Sequence, residues 1–117
     1  MRNFTSIRAI EPVTRSNEHG GIGSIAFRRL LDHTQFASNV DFVDATIVPP
    51  GSTIGRHEHH DSEELYYIVA GRPLMRIDDD ERRMAPGDVA VVHPNGWHEL
   101  INDTNSDVQI FVVQVRL

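Results

Sequence analysis

The sequence predicts an all-β domain, built either as a sandwich or as a closed barrel. Short apolar runs rich in Val, Ile, Tyr and Phe recur from about residue 40 onward, and clusters of Gly, Pro, Asn and Asp separate them. The runs follow one another closely, which favours a sandwich or a barrel over a parallel sheet with helices between its strands. The chain of 117 residues has the length of one domain, so we expect a single core and a single site.

The predicted strands, taken in order, are 24–31, 40–48, 52–59, 64–69, 73–77, 81–84, 88–92, 98–102 and 108–115. The segments between them have the chemistry of turns, such as Pro-Pro-Gly at 49–51 and Pro-Asn-Gly at 94–96. The beginning of the chain has a weaker pattern. We therefore divide the domain into an N-terminal arm with the first strand or strands, 1–39, and a barrel, 40–117.

Composition narrows the classes of function. The formal charge is −6, from 17 acidic and 11 basic side chains, so neither nucleic acid nor a membrane surface is an expected partner. The absence of an apolar run of spanning or signal-peptide type predicts a cytoplasmic protein. The sequence contains no Cys, so a metal site would have to use histidine, carboxylate and water.

A cluster of potential metal ligands begins with two histidines in one predicted strand. Because side chains alternate between the faces of a strand, His57 and His59 point to the same face. A hairpin returning from this strand would place the carboxylate of Glu64 beside them. Glu63 is the alternative carboxylate, but it faces the other way if the strand has already begun. We therefore expect Glu64 to be the third ligand.

A fourth ligand comes from the next strand pair. The compact strand 88–92 and the turn at 94–96 return the chain at His98, which is the candidate. Three imidazoles and a carboxylate suit one divalent ion, namely Fe2+, Mn2+, Zn2+, Ni2+ or Co2+. An octahedral ion held in this way keeps two positions for water, O2 or substrate.

The spacing Gly51-x5-His57-x-His59-x4-Glu64-x6-Gly71 resembles the first sequence motif of the cupin superfamily at every position. The second cupin motif is approached by Gly87, Pro94, Gly96, His98 and Asn102. Pro94 and Gly96 are one residue late, and His93 stands where the family usually has proline. The resemblance implies a double-stranded β-helix, that is a jelly-roll barrel, with the ion held by the four residues above.

Tyr66 shares the face of Glu64, so its hydroxyl could exchange a proton with a bound substrate, and some cupin lyases use a tyrosine near the metal in this way. By the same alternation His60 faces outward. We expect His19 and His33 to be ordinary surface residues. An arginine could hold a substrate carboxylate, and the sequence does not choose among its candidates, Arg28, Arg29, Arg72 and Arg76.

The leading hypothesis is a metal-dependent enzyme that acts on a small, polar, chelating substrate. A dioxygenase and a lyase, isomerase or cyclase remain open, because the ligand set alone does not select the metal. The alternative is a cupin without catalysis, in which the ion anchors a bound ligand or stabilises the barrel. The outward apolar residues Leu65, Tyr67 and Val69 favour a homodimer.

Overall fold

The computed structural model describes residues 3–117, and it is built almost entirely of β-strands. Between these residues lie ten strands: β1 (Val13–Ser16), β2 (Ser24–Asp32), β3 (Val40–Val48), β4 (Thr53–Glu58), β5 (Ser62–Ala70), β6 (Leu74–Ile77), β7 (Asp80–Arg83), β8 (Val89–Val92), β9 (Trp97–Ile101) and β10 (Val108–Arg116). Each of the nine predicted strands is observed, with bounds within two residues of the prediction. The strand β1 was not predicted.

The strands form two sheets that face each other. The larger sheet has the order β1-β2-β3-β10-β5-β8, and the smaller has the order β4-β9-β6-β7. Every pairing is antiparallel, as in a jelly-roll barrel. The prediction of an all-β jelly roll is confirmed. Within the described residues, none of the short helices is long and apolar enough to cross a bilayer.

The core lies between the sheets, and alternation along the strands fills it. On β5, Glu64, Tyr66 and Ile68 are buried, while the neighbours that alternate with them are exposed. The fully buried apolar side chains come from both sheets: Val48, Ile68, Val92, Leu100, Val108 and Ile110. Buried polar side chains, among them Glu64 and His98, also lie in this interior.

The N-terminal segment is part of the barrel wall. β1 extends the larger sheet by pairing with β2 from Val13 opposite Phe27 to Ser16 opposite Ser24. The 3₁₀ turn Glu18–Gly20 then packs on β4 of the smaller sheet. The segment 13–23 therefore spans from one sheet to the other on the side of the barrel where β2 approaches β4.

Candidate metal centre

The four predicted ligands come from three strands in two sheets. His57 lies in β4, and His59 follows directly after its end. His98 lies in β9, directly opposite His57 in the β4–β9 ladder. We predicted that a hairpin brings Glu64 beside the histidines. This is wrong, because β5 pairs with β10 and β8 in the other sheet. Glu64 reaches the histidines across the barrel interior instead.

The side chains of these residues converge on one point. Their potential ligand atoms all lie within 4.8 Å of one another. The Nε2 atoms of His59 and His98 lie 2.6 and 3.2 Å from Oε1 of Glu64. A backbone contact fixes the loop after β4, since the Asn95 N–H donates to the His59 carbonyl at 2.6 Å. The arrangement is that of a preformed ligand set.

The converging atoms lack ordinary hydrogen-bond partners. Nε2 of His59, Oε1 of Glu64 and both ring nitrogens of His98 are buried, and none has a hydrogen bond of acceptable geometry among the described residues. Leaving such a polar atom unsatisfied costs about 1–3 kcal/mol. A divalent ion would satisfy three of these atoms at once, so the residues fit a metal.

The electrostatics of the cluster favour the protonation states that a metal requires. Burial lowers the pKa of His57 to about 4. Its Nδ1–H donates to the Gly55 carbonyl at 2.7 Å, which raises the pKa but by less than burial lowers it. That bond leaves Nε2 free to bind an ion. Burial by itself raises the pKa of Glu64. The contact with His98 and the proximity of His59 lower it by more, so the net pKa lies below the ordinary value. At neutral pH the site presents neutral His57 and a carboxylate.

A cavity of about 220 Å³ opens above the cluster. Its polar lining comprises Arg15, Glu18, His19, Arg29, Asp44, Thr46, His57, His59, Glu64 and Gln114, and its apolar lining comprises Ile25, Phe27, Phe42, Ile54, Tyr66 and Val112. The volume lies below the usual range of about 300–1,000 Å³ for pockets of drug-sized ligands. A ligand of this cavity is therefore small.

Tyr66 lies in the wall of this cavity, as the sequence predicted. Its ring is buried and meets the ring of His98 edge to face, with 5.8 Å between the centroids. Burial raises the pKa of its phenol well above the ordinary value, with the charge of Glu64 acting in the same direction. Tyr66 is thus protonated at neutral pH and can donate a hydrogen bond or a proton. Glu63 is half-exposed, and its Oε2 lies 3.8 Å from Nδ1 of His93. This position agrees with the prediction that Glu64, and not Glu63, is the metal ligand.

His19 is exposed, as expected of a surface residue, but it also contacts the site. Its ring stacks on that of His57, with centroids 3.6 Å apart and planes 8° from parallel, and it lines the cavity. The covered part of the ring loses solvation, which lowers the pKa of His19. The sequence carried no spacing signal for this contact, because the docking of a distant turn on β4 creates it. His33 and His60 are exposed, as expected.

The arginine candidates separate by location. Arg29 lines the cavity but is already paired with Asp44 through two hydrogen bonds of 3.0 and 3.1 Å. Burial raises the pKa of Asp44, and the opposing effect of its ion pair with Arg29 is smaller. Arg28, Arg72 and Arg76 do not line the cavity. Arg15, which was not among the predicted candidates, does line it.

Comparison with known proteins gives a consistent result. The family model of the cupin domain matches residues 45–114. The oxalate-binding protein of Thermotoga maritima is 28% identical over 108 residues, which are 92% of this chain and 89% of that protein. An uncharacterized protein of Methanocaldococcus jannaschii is 35% identical over 88 residues, which are 75% of this chain and 70% of that protein.

Among solved structures, that of a predicted oxalate decarboxylase from Thermotoga maritima superposes with a TM-score of 0.94. The two sequences are 26% identical, and the match covers 97% of this chain and 99% of that one. The similarity extends beyond the matched domain to the N-terminal segment. The two chains therefore share their fold over nearly their whole length, including the N-terminal segment.

Proposed function

The chain belongs to the cupin family, and on that premise we propose that it binds one divalent ion and holds on it a small carboxylate ligand of the oxalate type. One observation carries the proposal. Four competent ligand side chains converge within 4.8 Å, with buried atoms that lack hydrogen-bond partners, at the base of a small cavity. When bound, the ion would supply positive charge and free coordination positions for an anionic chelator.

The surroundings of the cluster favour a small anionic ligand. The cavity of about 220 Å³ is lined by two arginines. Arg29 makes two hydrogen bonds to Asp44, whereas Arg15 makes a single contact of 3.5 Å with Glu18. The relatives named for oxalate binding and for a predicted oxalate decarboxylase support the same ligand class. Oxalate is a compact chelator with two carboxylates, so it is both small and anionic.

The test is calorimetric titration of oxalate into metal-free protein and into protein loaded with Mn2+ or Co2+. We expect binding with one oxalate per chain in the loaded protein and no binding in the metal-free protein. A matched control is His60→Ala, since His60 is adjacent to the ligands but exposed and outside the cavity. Equal oxalate binding with and without metal would overturn the proposal.

A second candidate function is an enzyme at the same site, and the leading reaction is a redox-neutral lyase step. It is favoured by a cavity group whose protonated form is stabilised by burial, the phenol of Tyr66. For hydrogen oxalate such a step breaks the C–C bond, releases CO2 and leaves formate when the remaining carbon gains the proton.

Product analysis distinguishes the enzyme from the binding protein. Loaded protein incubated with oxalate would yield formate and CO2 in equal amounts without O2 uptake, whereas O2 consumption would indicate the oxygenase branch. In Tyr66→Phe we expect product formation to fall while metal content and oxalate affinity persist. Tight oxalate binding without any product would leave binding as the function.

We further propose that the protein is a homodimer. Leu65, Tyr67 and Val69 are 37%, 41% and 39% exposed on the outer face of β5. Val89 and Val91 lie opposite Tyr67 and Leu65 on the neighbouring strand and are also exposed, so the apolar patch is continuous. Sedimentation analysis should give a dimer, and Tyr67→Glu should shift it to monomer. A monomeric wild-type protein would contradict this assembly.

A further inference from the structure

The N-terminal segment 13–23 brings an arginine to the mouth of the cavity above the metal cluster. Arg15 lies in β1, opposite Ile25 of β2, and both residues line the cavity. Its guanidinium lies over the ring of Phe27, with Cζ 4.3 Å from the ring centroid. The aromatic contact limits the directions in which the guanidinium can point, and its side chain remains 52% exposed.

Arg15 is the less engaged of the two cavity arginines. Its ion pair with Glu18 is a single contact of 3.5 Å, at the limit of a hydrogen bond. Arg29, by contrast, makes two hydrogen bonds to Asp44. A guanidinium has five N–H donors in a planar fork that matches a carboxylate, so Arg15 keeps most of its binding capacity for a ligand.

The segment that carries Arg15 is firmly docked. The Ile22 N–H donates to Oγ1 of Thr53 at 2.8 Å, and the Thr53 N–H donates to the Ile22 carbonyl at 2.9 Å. The side-chain amide of Asn17 donates to the Gly21 carbonyl at 3.0 Å and holds the intervening turn. Arg15 is therefore presented from a fixed backbone, paired with β2 on one side and followed by a turn that packs on β4, the strand of His57.

We propose that Arg15 is a specificity-determining residue that binds the carboxylate of the metal-held ligand. This inference rests on the proposed function and adds to it a second anchoring point, supplied by the N-terminal segment. The arrangement selects a ligand with a chelating group at one end and negative charge facing the mouth of the cavity. A neutral metal ligand gains nothing from Arg15.

The test compares two probes on Co2+-loaded protein at pH 8, with the visible spectrum and calorimetry as readouts. Oxalate is the anionic probe, and imidazole is the neutral one. In Arg15→Gln we expect the Kd for oxalate to rise about tenfold or more, as for the loss of one charge-assisted interaction. The Kd for imidazole and the Co2+ content should not change, because Arg15 is not among the four metal ligands.

Two further variants control for charge and for folding. Arg15→Lys keeps the charge but loses the fork, so its oxalate affinity should lie between those of wild type and Arg15→Gln. Arg72→Gln removes the same charge from an exposed position outside the cavity and should bind oxalate like wild type. Agreement with both expectations would support a direct contact.

Three results would overturn the inference, and they are distinguishable. Wild-type oxalate affinity in Arg15→Gln removes the anchoring role and leaves the proposed function intact. An equal loss of imidazole and oxalate binding in that variant shows that Arg15 acts on the fold of the site. A wild-type protein that binds Co2+ and imidazole but not oxalate overturns the proposed ligand class, and the role of Arg15 with it.

Discussion

The docking of the N-terminal segment on β4 requires a residue without a side chain at Gly55. A Cβ atom at this position would collide with the carbonyl oxygen of His19 and would lie 2.6 Å from the Gly21 nitrogen. The carbonyl carbon of His19 would be 2.9 Å away. Because all three are backbone atoms, no side-chain rotation relieves the overlap. In Gly55→Ala the turn must move away from β4.

The sign of the effect on stability separates this collision from the intrinsic preference of the strand. Without the collision, alanine would stabilise a strand interior by about 0.5–1 kcal/mol relative to glycine. Overpacking of a rigid contact costs about 1–3 kcal/mol, and here the backbone cannot yield. We expect Gly55→Ala to lose about 2 kcal/mol of unfolding free energy, a fall of about 8 °C in Tm for a domain of this size.

Urea unfolding followed by circular dichroism measures the loss, and oxalate titration of the loaded variant measures its effect on the site. Oxalate affinity should fall because Arg15 moves with the segment. Gly96→Ala is the matched control, since its Cβ would lie no closer than 3.2 Å to the His93 carbonyl oxygen. A Gly55→Ala protein at least as stable as wild type would refute the docking argument.

Two further predictions concern the metal-free protein. The folded pKa of His57, about 4, lies below its ordinary value of 6.5, so between these values the unfolded chain binds a proton that the native protein lacks. Its unfolding free energy should therefore fall as the pH is lowered from 7 to 4, by up to about 3 kcal/mol from His57. Urea unfolding at several pH values tests this. If the unfolding free energy of His57→Asn falls with pH as steeply as that of the wild type, the prediction is contradicted. The buried amide of Asn102 donates to the carbonyls of Val48 and Ser106, both at 2.8 Å. Asn102→Ala should lose about 2–4 kcal/mol on chemical unfolding, and a loss under 1 kcal/mol would show that these hydrogen bonds contribute little.

Most of the barrel could be predicted from the sequence, because strand alternation and turn residues are evident within short stretches of the chain. Alternation along β5 separates buried Tyr66 from exposed Tyr67, and turn residues set the strand ends. The same period-two reasoning placed His57 and His59 on one face and preferred Glu64 to Glu63. The structure brings the preferred residues together with His98.

Features that depend on contacts between distant segments could not be predicted in this way. The sequence suggested a hairpin for Glu64, because it does not show that β4 and β5 belong to different sheets. The position of His19 depends on a turn docked on β4, which leaves no periodic pattern, and that of Arg15 depends on the pairing of β2 with β1, a strand that was not predicted. A glycine within a strand indicates a close approach of another backbone, but Gly55 does not identify that backbone as the one at His19.

We propose that one divalent ion is held by His57, His59, Glu64 and His98. Equilibrium dialysis of metal-free protein against Co2+, followed by elemental analysis, tests it most directly. We predict one equivalent of Co2+ in wild type and in His60→Ala, and loss of that equivalent in His59→Ala and in Glu64→Gln. Wild-type protein that retains no Co2+, or a His59→Ala variant that retains a full equivalent, would contradict the account.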